Sequence, residues 1–575
     1  MNSRAFEQYQ EWLTSSYFDD VTHQELRDLE GNDAEIEDRF YKDLEFGTGG
    51  MRGLLGAGTN RINRYTVRRA TQGLANYIKE CGGQESGVVI AYDSRHQSEL
   101  LSKETALCLN ANGIKTYRFD SLRPTPELSF AVRELHCIAG VVITASHNPP
   151  EYNGYKVYWE DGGQITPPHD RNIMNHAGMV SSFDEIPVME EAEARSAGLY
   201  NELGKEMDDA YINAICSLSI HPDLVKEYAP SIKIVYTPLH GAGNLPVRRV
   251  LEELGFTQVY VVKEQELPDG EFTTCEVPNP EADAAWVKAL ELAETVEADL
   301  VIATDPDADR IGLYARREDG SYQRFTGNMT GTLLAEYILK EQKNAEVLPD
   351  HGVVMKTIVT GDMVRPIAEA YGCRVKEVLT GFKYIGEKIR EFEDGTEDTY
   401  VFGFEESFGC LMGTYARDKD AVSAAALIAE VAAVSKAAGI TIVQRFQELY
   451  ERYGYYMEGQ SSITLKGIAG VEQRKELMAR LRRQPLSSIG GKPVIALRDY
   501  ESGIRKDVLH SNSQKLDLPE SNVLYYELEN GWCCVRPSGT EPKIKLYFGV
   551  KEETESDAVA ALEQLKEDLL RQIAE

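Results

Sequence analysis

Short apolar runs rich in β-branched residues alternate with helical stripes over most of this chain, and few folds accept that alternation. Residues 88–92, 115–119 and 138–144 read as strands. Between the first two, residues 98–112 carry a helical stripe of Leu100, Leu101, Ala106, Leu107 and Leu109. The alternation returns at 232–236, 247–254, 259–262, 285–294 and 300–304, and again at 353–357, 363–371, 375–378 and 400–402. It predicts α/β domains with largely parallel or mixed sheets. The texture changes after a helix near 421–438. Strands at 494–497, 523–528, 533–536 and 544–548, then a closing helix over 552–574, suggest a smaller α+β domain.

The chain has 575 residues, more than one hydrophobic core usually organises. Three α/β units plus one α+β unit are expected, at 1–208, 209–323, 324–445 and 446–575, with the polar, helical first forty residues an appendage to the first. The formal net charge of −32 repels nucleic acid and anionic membrane, and no Lys/Arg run relieves it. An anionic substrate must then be drawn in by a local cluster of Arg, Lys or metal. The nine cysteines form no C-x-x-C pair, so buried free thiols are expected at all nine, with the adjacent Cys533 and Cys534 on opposite faces of a strand. The N-terminus lacks an apolar core and no run of eighteen apolar residues occurs, so a cytoplasmic protein is expected.

Asp305-Pro306-Asp307-Ala308-Asp309-Arg310 is the strongest single signal. It leaves the apolar run 300–304, and ligands of open α/β sheets bind at that end of a strand. Carboxylates at i, i+2 and i+4 can converge on one hard cation, and Mg²⁺ favours such oxygen ligands. An EF-hand would need Gly and Glu where Arg310 and Arg316 stand, which excludes it. A solvated acidic turn is the bland alternative, but three Asp in five residues beside a buried strand are hard to leave unneutralised.

Thr144-Ala145-Ser146-His147-Asn148-Pro149-Pro150 leaves a second apolar run, and Lys156 follows ten residues after Ser146. The Ser is either a helix cap or a nucleophile, and G-x-S-x-G glycines are absent. A serine that accepts and returns a phosphoryl group needs a metal and acid/base groups nearby. Further segments are weaker alone. Gly47-Thr48-Gly49-Gly50-Met51-Arg52 offers pliant backbone with one cation. Arg536-Pro537-Ser538-Gly539-Thr540 suits a phosphate dianion, or is a plain turn. Glu405-Glu406-Ser407 reads as a sugar-hydroxyl grip or a helix start, with Lys419 beyond it, and Thr380-Gly381-Phe382-Lys383 as a small loop or a helix entry. Neither a P-loop nor a G-x-G-x-x-G turn is present.

Together, and in order, these segments resemble the α-D-phosphohexomutases from Gly47 to Lys543. The resemblance implies four domains around a central cleft, the last TATA-binding-protein-like. It implies Ser146 as the phosphoserine, Mg²⁺ held by Ser146, Asp305, Asp307 and Asp309, and Arg52, His147, Lys156 and Arg310 at the transferring phosphoryl group. It implies sugar contacts from Thr380, Gly381, Glu405, Ser407 and Lys419, and a phosphate grip from Arg536, Ser538, Gly539 and Thr540. The reaction it implies interconverts glucose 1-phosphate and glucose 6-phosphate through glucose 1,6-bisphosphate, on small phosphosugars, by a monomer or weak dimer. The loop at Thr380 lacks the His of dual-specificity phosphomannomutase/phosphoglucomutase relatives, which favours glucose and leaves pentose open. Two other readings stand beside this one: a phosphatase using Asp305 and Asp307 as an aspartyl nucleophile pair, and a non-catalytic sugar-phosphate sensor.

Overall fold

The computed structural model describes residues 3–44, 50–465, 467–508, 510, 512–538 and 543–574. It divides into two compact units, one made of Met1–Thr326, Phe382–Glu397 and Ser407–Gly439, the other of Gly327–Gly381, Asp398–Glu406 and Ile440–Glu575.

In the first unit, six strands form one sheet: β1 (Gly50–Leu54), β2 (Val88–Tyr92), β3 (Thr116–Phe119), β4 (Ala139–Ile143), β5 (Tyr152–Trp159) and β6 (Tyr200–Leu203), in the order β1-β5-β4-β2-β3-β6. β2 runs parallel to β3 and β4, whereas β5 is antiparallel to both β4 and β1. β2 and β4 are buried along their whole length, as expected of strands covered on both faces. A second sheet follows: β7 (Lys233–Thr237), β8 (Gln258–Val261), β9 (Leu300–Thr304), β10 (Ile311–Arg316) and β11 (Tyr322–Phe325), in the order β11-β10-β9-β7-β8. Its β7, β8 and β9 are parallel and its β10 and β11 antiparallel, so both sheets are mixed.

The appendage is three helices, Ser3–Thr14, Asp20–Asp28 and Asp33–Phe40. Trp12 stacks on Phe18 at 4.2 Å, and both meet Tyr65 of the helix Arg64–Glu80, which docks the appendage on the first sheet's layer. The helix Ala421–Ala437 is buried from Ala421 through Ser435, so it is a core helix, capped by the Asp420 carboxylate on the Val422 and Ser423 amides. No single helix among the described residues is long and apolar enough to cross a membrane.

The second unit holds β12 (Gly352–Thr357) between β13 (Arg374–Val378) and β14 (Thr399–Glu405), all parallel. It also holds an antiparallel sheet that runs from Tyr455–Thr464 through Lys543–Glu552, Gly531–Pro537, Leu524–Leu528 and Lys492–Asp499 to its edge, covered by the helix Glu555–Ala574. This is the expected α+β layer. One expectation fails. All nine cysteines are free, but Cys216 is half-buried and Cys81 exposed, the latter because it caps the C-terminus of the helix Arg64–Glu80.

Candidate active site

Ser146 stands just beyond the C-terminal end of β4, and Asp305 just beyond β9, so two buried strands deliver both to their loops. Ser146 has φ +52°, an unusual left-handed backbone for a residue with a Cβ. What holds it there is a buried network. Thr144 Oγ1 accepts from the Ser146 amide at 2.8 Å and donates to Asp93 Oδ2 at 2.6 Å. Arg95, fully buried, donates to the carbonyls of Ser146 (2.6 Å), Pro149 (2.8 Å), Tyr152 (3.1 Å) and Asn148. Burial pushes the Asp93 carboxyl up and the Arg95 guanidinium down, each opposed by the other's charge.

The Ser146 hydroxyl donates to Asp305 Oδ2 at 2.7 Å, and His147 Nδ1 lies 3.1 Å from Ser146 Oγ. Asp305, Asp307 and Asp309 are buried and can bring one oxygen each within 4.8 Å of one another. Ala308, at φ +50°, turns the loop on itself. Asp305 Oδ1 accepts the Asp309 and Arg310 amides, and Asp307 Oδ2 accepts the Thr125 hydroxyl at 3.0 Å. Lys156 Nζ donates to Asp307 Oδ2 and Lys419 Nζ to Asp309 Oδ2, both at 2.8 Å. Burial and the two neighbouring carboxylates push Asp305 well above the usual range. Burial would raise Asp307 too, but the Lys156 ammonium outweighs it and holds that carboxyl low. In the same way Lys156 is held above its ordinary value by Asp307 and Asp309 despite its burial.

Asp307 Oδ1 and Asp309 Oδ1 are buried without a hydrogen-bond partner among the described residues. Two orphaned carboxylate oxygens beside Asp305 and a serine hydroxyl make an all-oxygen donor set, which fits a small hard dication.

The cations reach this point by sheet register. Arg52 pairs with Gly154 and Gly50 with Lys156 across β1 and β5, so both cations share one face, each opposite a glycine. A Cβ on Gly154 would meet the Thr144 carbonyl oxygen at 2.5 Å, against the very segment that carries Ser146. Arg52 donates to Asn148 Oδ1 at 3.1 Å, and Arg310 to Glu281 at 2.8 Å. The first unit therefore gathers Arg52, Ser146, His147, Lys156, the three aspartates, Arg310 and Lys419. Lys419, expected at the sugar, reaches the Asp309 carboxylate. Ser407 also belongs to this unit and is half-buried.

In the second unit Glu405 Oε1 accepts the Gly381 amide at 2.9 Å, and Thr380 Oγ1 is buried without a hydrogen-bond partner among the described residues. The neighbouring Glu406 accepts both Thr357 and Thr360 hydroxyls at 3.1 Å. Arg536 pairs opposite Lys545, and the Ser538 amide donates to the Lys543 carbonyl at 2.8 Å. Gly539 and Thr540, like Gly47 to Gly49, lie outside the described residues. Sequence reasoning missed Asp93, Arg95 and Thr125. Asp93 and Arg95 directly follow β2, the same strand-end position that drew attention to Ser146 and Asp305.

Models of the phosphoglucomutase/phosphomannomutase family match in sequence: alpha/beta/alpha domain I over residues 43–181, domain II over 209–320, domain III over 326–453 and the C-terminal domain over 501–568. The phosphoglucomutase of Staphylococcus haemolyticus is 36% identical over 537 residues, 93% of this chain and 94% of that one. The chain belongs to this family. A second member, the phosphoglucomutase of Staphylococcus saprophyticus, is 36% identical over 510 residues, 89% of this chain and 91% of its own. The family fold recurs in the open form of the Paramecium phosphoglucomutase parafusin, with TM-score 0.69, 17% identity and coverage of 93% and 96%. It recurs also in a Burkholderia thailandensis phosphoglucomutase/phosphomannomutase family protein, with TM-score 0.64, 18% identity and coverage of 92% and 96%.

Proposed function

We propose that this member of the family is a phosphoglucomutase that interconverts glucose 1-phosphate and glucose 6-phosphate through phospho-Ser146. The observation that carries the reading is the 2.7 Å hydrogen bond from Ser146 to Asp305, which puts a hydroxyl nucleophile on the one buried carboxylate triad among the described residues. The near full-length phosphoglucomutase relatives support the choice of sugar. Asp305, Asp307, Asp309 and Ser146 Oγ would hold Mg²⁺, whose chemistry is Lewis-acid polarisation of a phosphoryl oxygen.

The chain's own residues do the rest. Phospho-Ser146 passes its phosphoryl group to the free hydroxyl of glucose 1-phosphate: the Oγ–P bond breaks and a sugar O–P bond forms. The proton of the attacking sugar hydroxyl replaces the phosphoryl group on Ser146 Oγ, and His147 Nδ1, 3.1 Å from that oxygen, is placed to deliver it. Lys156, kept protonated by Asp307, and Arg52 offset the charge of the phosphoryl group in transit. The resulting glucose 1,6-bisphosphate turns around while bound and returns its other phosphate. We assign Glu405, Thr380 and Ser407 to the sugar and Arg536 and Ser538 to the phosphate not reacting. An aspartyl-phosphate phosphatase would leave the Ser146 network without a use.

Trapping the phosphoenzyme tests the reading. The label should survive acid and map to Ser146, and Ser146→Ala should keep its fold and lose turnover. An alkali-labile label on Asp305 or Asp307 would refute it, as would full activity in the Ala variant. Comparing kcat/KM on glucose, mannose and ribose 1-phosphates should rank glucose first.

A further inference from the structure

One residue far from the metal loop in sequence holds Asp307 at two points. Thr125 donates its amide to the Asp307 carbonyl at 2.9 Å and its hydroxyl to Asp307 Oδ2 at 3.0 Å. Both residues are 0% exposed, so neither bond is shared with solvent. A bond to the backbone and a bond to the side chain together fix the turn of the carboxylate, which either alone would leave free.

The chain around Thr125 is itself held still. Thr125 opens the helix Thr125–Glu134, directly after Pro124 and directly before Pro126. Its amide lies in the first turn, where no intrahelical carbonyl is available, so it is spare for Asp307. Arg123 ties the segment down, its amide donating to the carbonyl of Tyr92, the last residue of β2, at 3.1 Å. The prolines fix φ on either side and a β-branched Thr is stiff at χ1, so the hydroxyl arrives with little freedom to lose.

Asp307 Oδ2 also accepts Lys156 Nζ, at 2.8 Å. Two donors thus occupy that oxygen, and Oδ1 is the one left to a cation. A carboxylate held in this way offers one oxygen rather than two. Mg²⁺ takes single oxygens in a near-ideal octahedron, whereas Ca²⁺ accepts bidentate carboxylates in a larger and looser set. Lys156 does not keep this arrangement alone. It also lies 3.6 Å from Asp309 Oδ2, and in the relay proposed above it serves the phosphoryl group in transit. The Thr125 hydroxyl has no second duty, being bonded only to Asp307 Oδ2 among the described residues.

We propose that Thr125 is a positioning residue that sets which cation the triad prefers: by holding Asp307 Oδ2 it keeps that carboxylate monodentate and so favours Mg²⁺ over Ca²⁺. The inference rests on the triad being the Mg²⁺ site, as proposed above. Thr125 acts on the cation only through Asp307.

Thr125→Val keeps the amide, the shape and the branching, and removes the hydroxyl. Calorimetric titration of the full chain should then show Mg²⁺ bound about 10-fold more weakly, the scale of losing a partner behind a metal ligand. Ca²⁺ affinity should hold or rise, so the preference for Mg²⁺ falls by at least the same factor. Thr125→Ser returns the hydroxyl and should recover most of the wild-type preference. Thr125→Ala should match Thr125→Val, and comparing it with Thr125→Ser decides the question even where Thr125→Val disturbs packing. In an Asp307→Asn background Thr125→Val should add little further loss, because the two changes act on one carboxylate. Equal weakening of Mg²⁺ and Ca²⁺, an unchanged preference after Thr125→Val and Thr125→Ala, or Thr125→Ser behaving as Thr125→Ala would overturn the proposal. Absence of Mg²⁺ binding in the wild type, or binding indifferent to Asp307→Asn, would instead overturn the assignment of the triad on which it rests.

Discussion

Replacing Arg95 by Met isolates the work of the buried guanidinium beneath Ser146. The substitution removes the donor from four carbonyls, those of Ser146, Asn148, Pro149 and Tyr152, and the counter-charge 3.4 Å from Asp93 Oδ2. Removing one partner of a buried ion pair costs about 3–5 kcal/mol, mainly because the survivor stays buried and uncompensated. Asp93 keeps the Thr144 and Ser98 hydroxyls and the residue-95 amide, so the lower part of that range, roughly 3 kcal/mol, is expected. The sign of the pH dependence follows. Asp93 is already raised by burial against the pull of Arg95, and without Arg95 it rises further. The folded variant then binds a proton that the unfolded chain gives up above about pH 4, so its stability falls relative to wild type as pH rises from there. Urea unfolding between pH 5 and 8 measures both effects. Because the loop also fixes the left-handed Ser146, kcat should drop at least about 10-fold, one pK-scale step of barrier, while KM moves little. Arg95→Lys should restore stability in part. If Arg95→Met unfolded at wild-type urea concentration with unchanged kcat, the claim that this guanidinium positions the nucleophile would be refuted.

Asp307→Asn removes one charge at constant shape, so Mg²⁺ should bind at least about 10-fold more weakly by calorimetry, and EDTA should silence the wild type until Mg²⁺ returns. Normal turnover after chelation would refute the metal assignment. Arg536→Ala should lower kcat/KM roughly 10²-fold, the scale of a lost charged hydrogen-bond pair, with Mg²⁺ affinity unchanged. A near-normal kcat/KM would put the phosphate grip elsewhere. Lys383, 8% exposed, is brought down by burial to about 8. Its reductive methylation should therefore half-saturate near that pH, and stability should gain from about pH 8 to roughly pH 10, where the unfolded lysine loses its proton too. A methylation midpoint above pH 10 at this residue would contradict its burial.

Much of the site was legible wherever a strand announced its own end. The strand Leu300–Thr304 was read with both its bounds, and the carboxylates beyond it needed only their spacing to suggest a cation. The edge of the six-stranded sheet was harder. β1 and β5 carry Gly50, Gly53 and Gly154, and glycine erases the alternation by which a strand is recognised. The strand Tyr455–Thr464 escaped for another reason: it is half-buried along its first half and shows no clean apolar period. Contacts such as Thr125 to Asp307 and Lys419 to Asp309 join residues 182 and 110 positions apart. No local pattern encodes those. They follow from which strand ends the two sheets bring together.

The glycine-for-cation pairing between β1 and β5 has an evolutionary consequence. Because Arg52 faces Gly154 and Lys156 faces Gly50, the spacing of the two cations is ruled off in strand repeats rather than set by loop length. A one-residue slip of the edge strand β1 would throw Arg52 to the opposite face, while Lys156 stays where the β4–β5 pairing holds it. Adapting the enzyme to a shorter or longer sugar cannot proceed by sliding β1 along β5, since each one-residue step would take Arg52 off the face that carries Lys156. Substrate range must drift instead through loops that tolerate insertion one residue at a time, while the β1–β5 pair stays as an inherited gauge of one phosphoryl group's width.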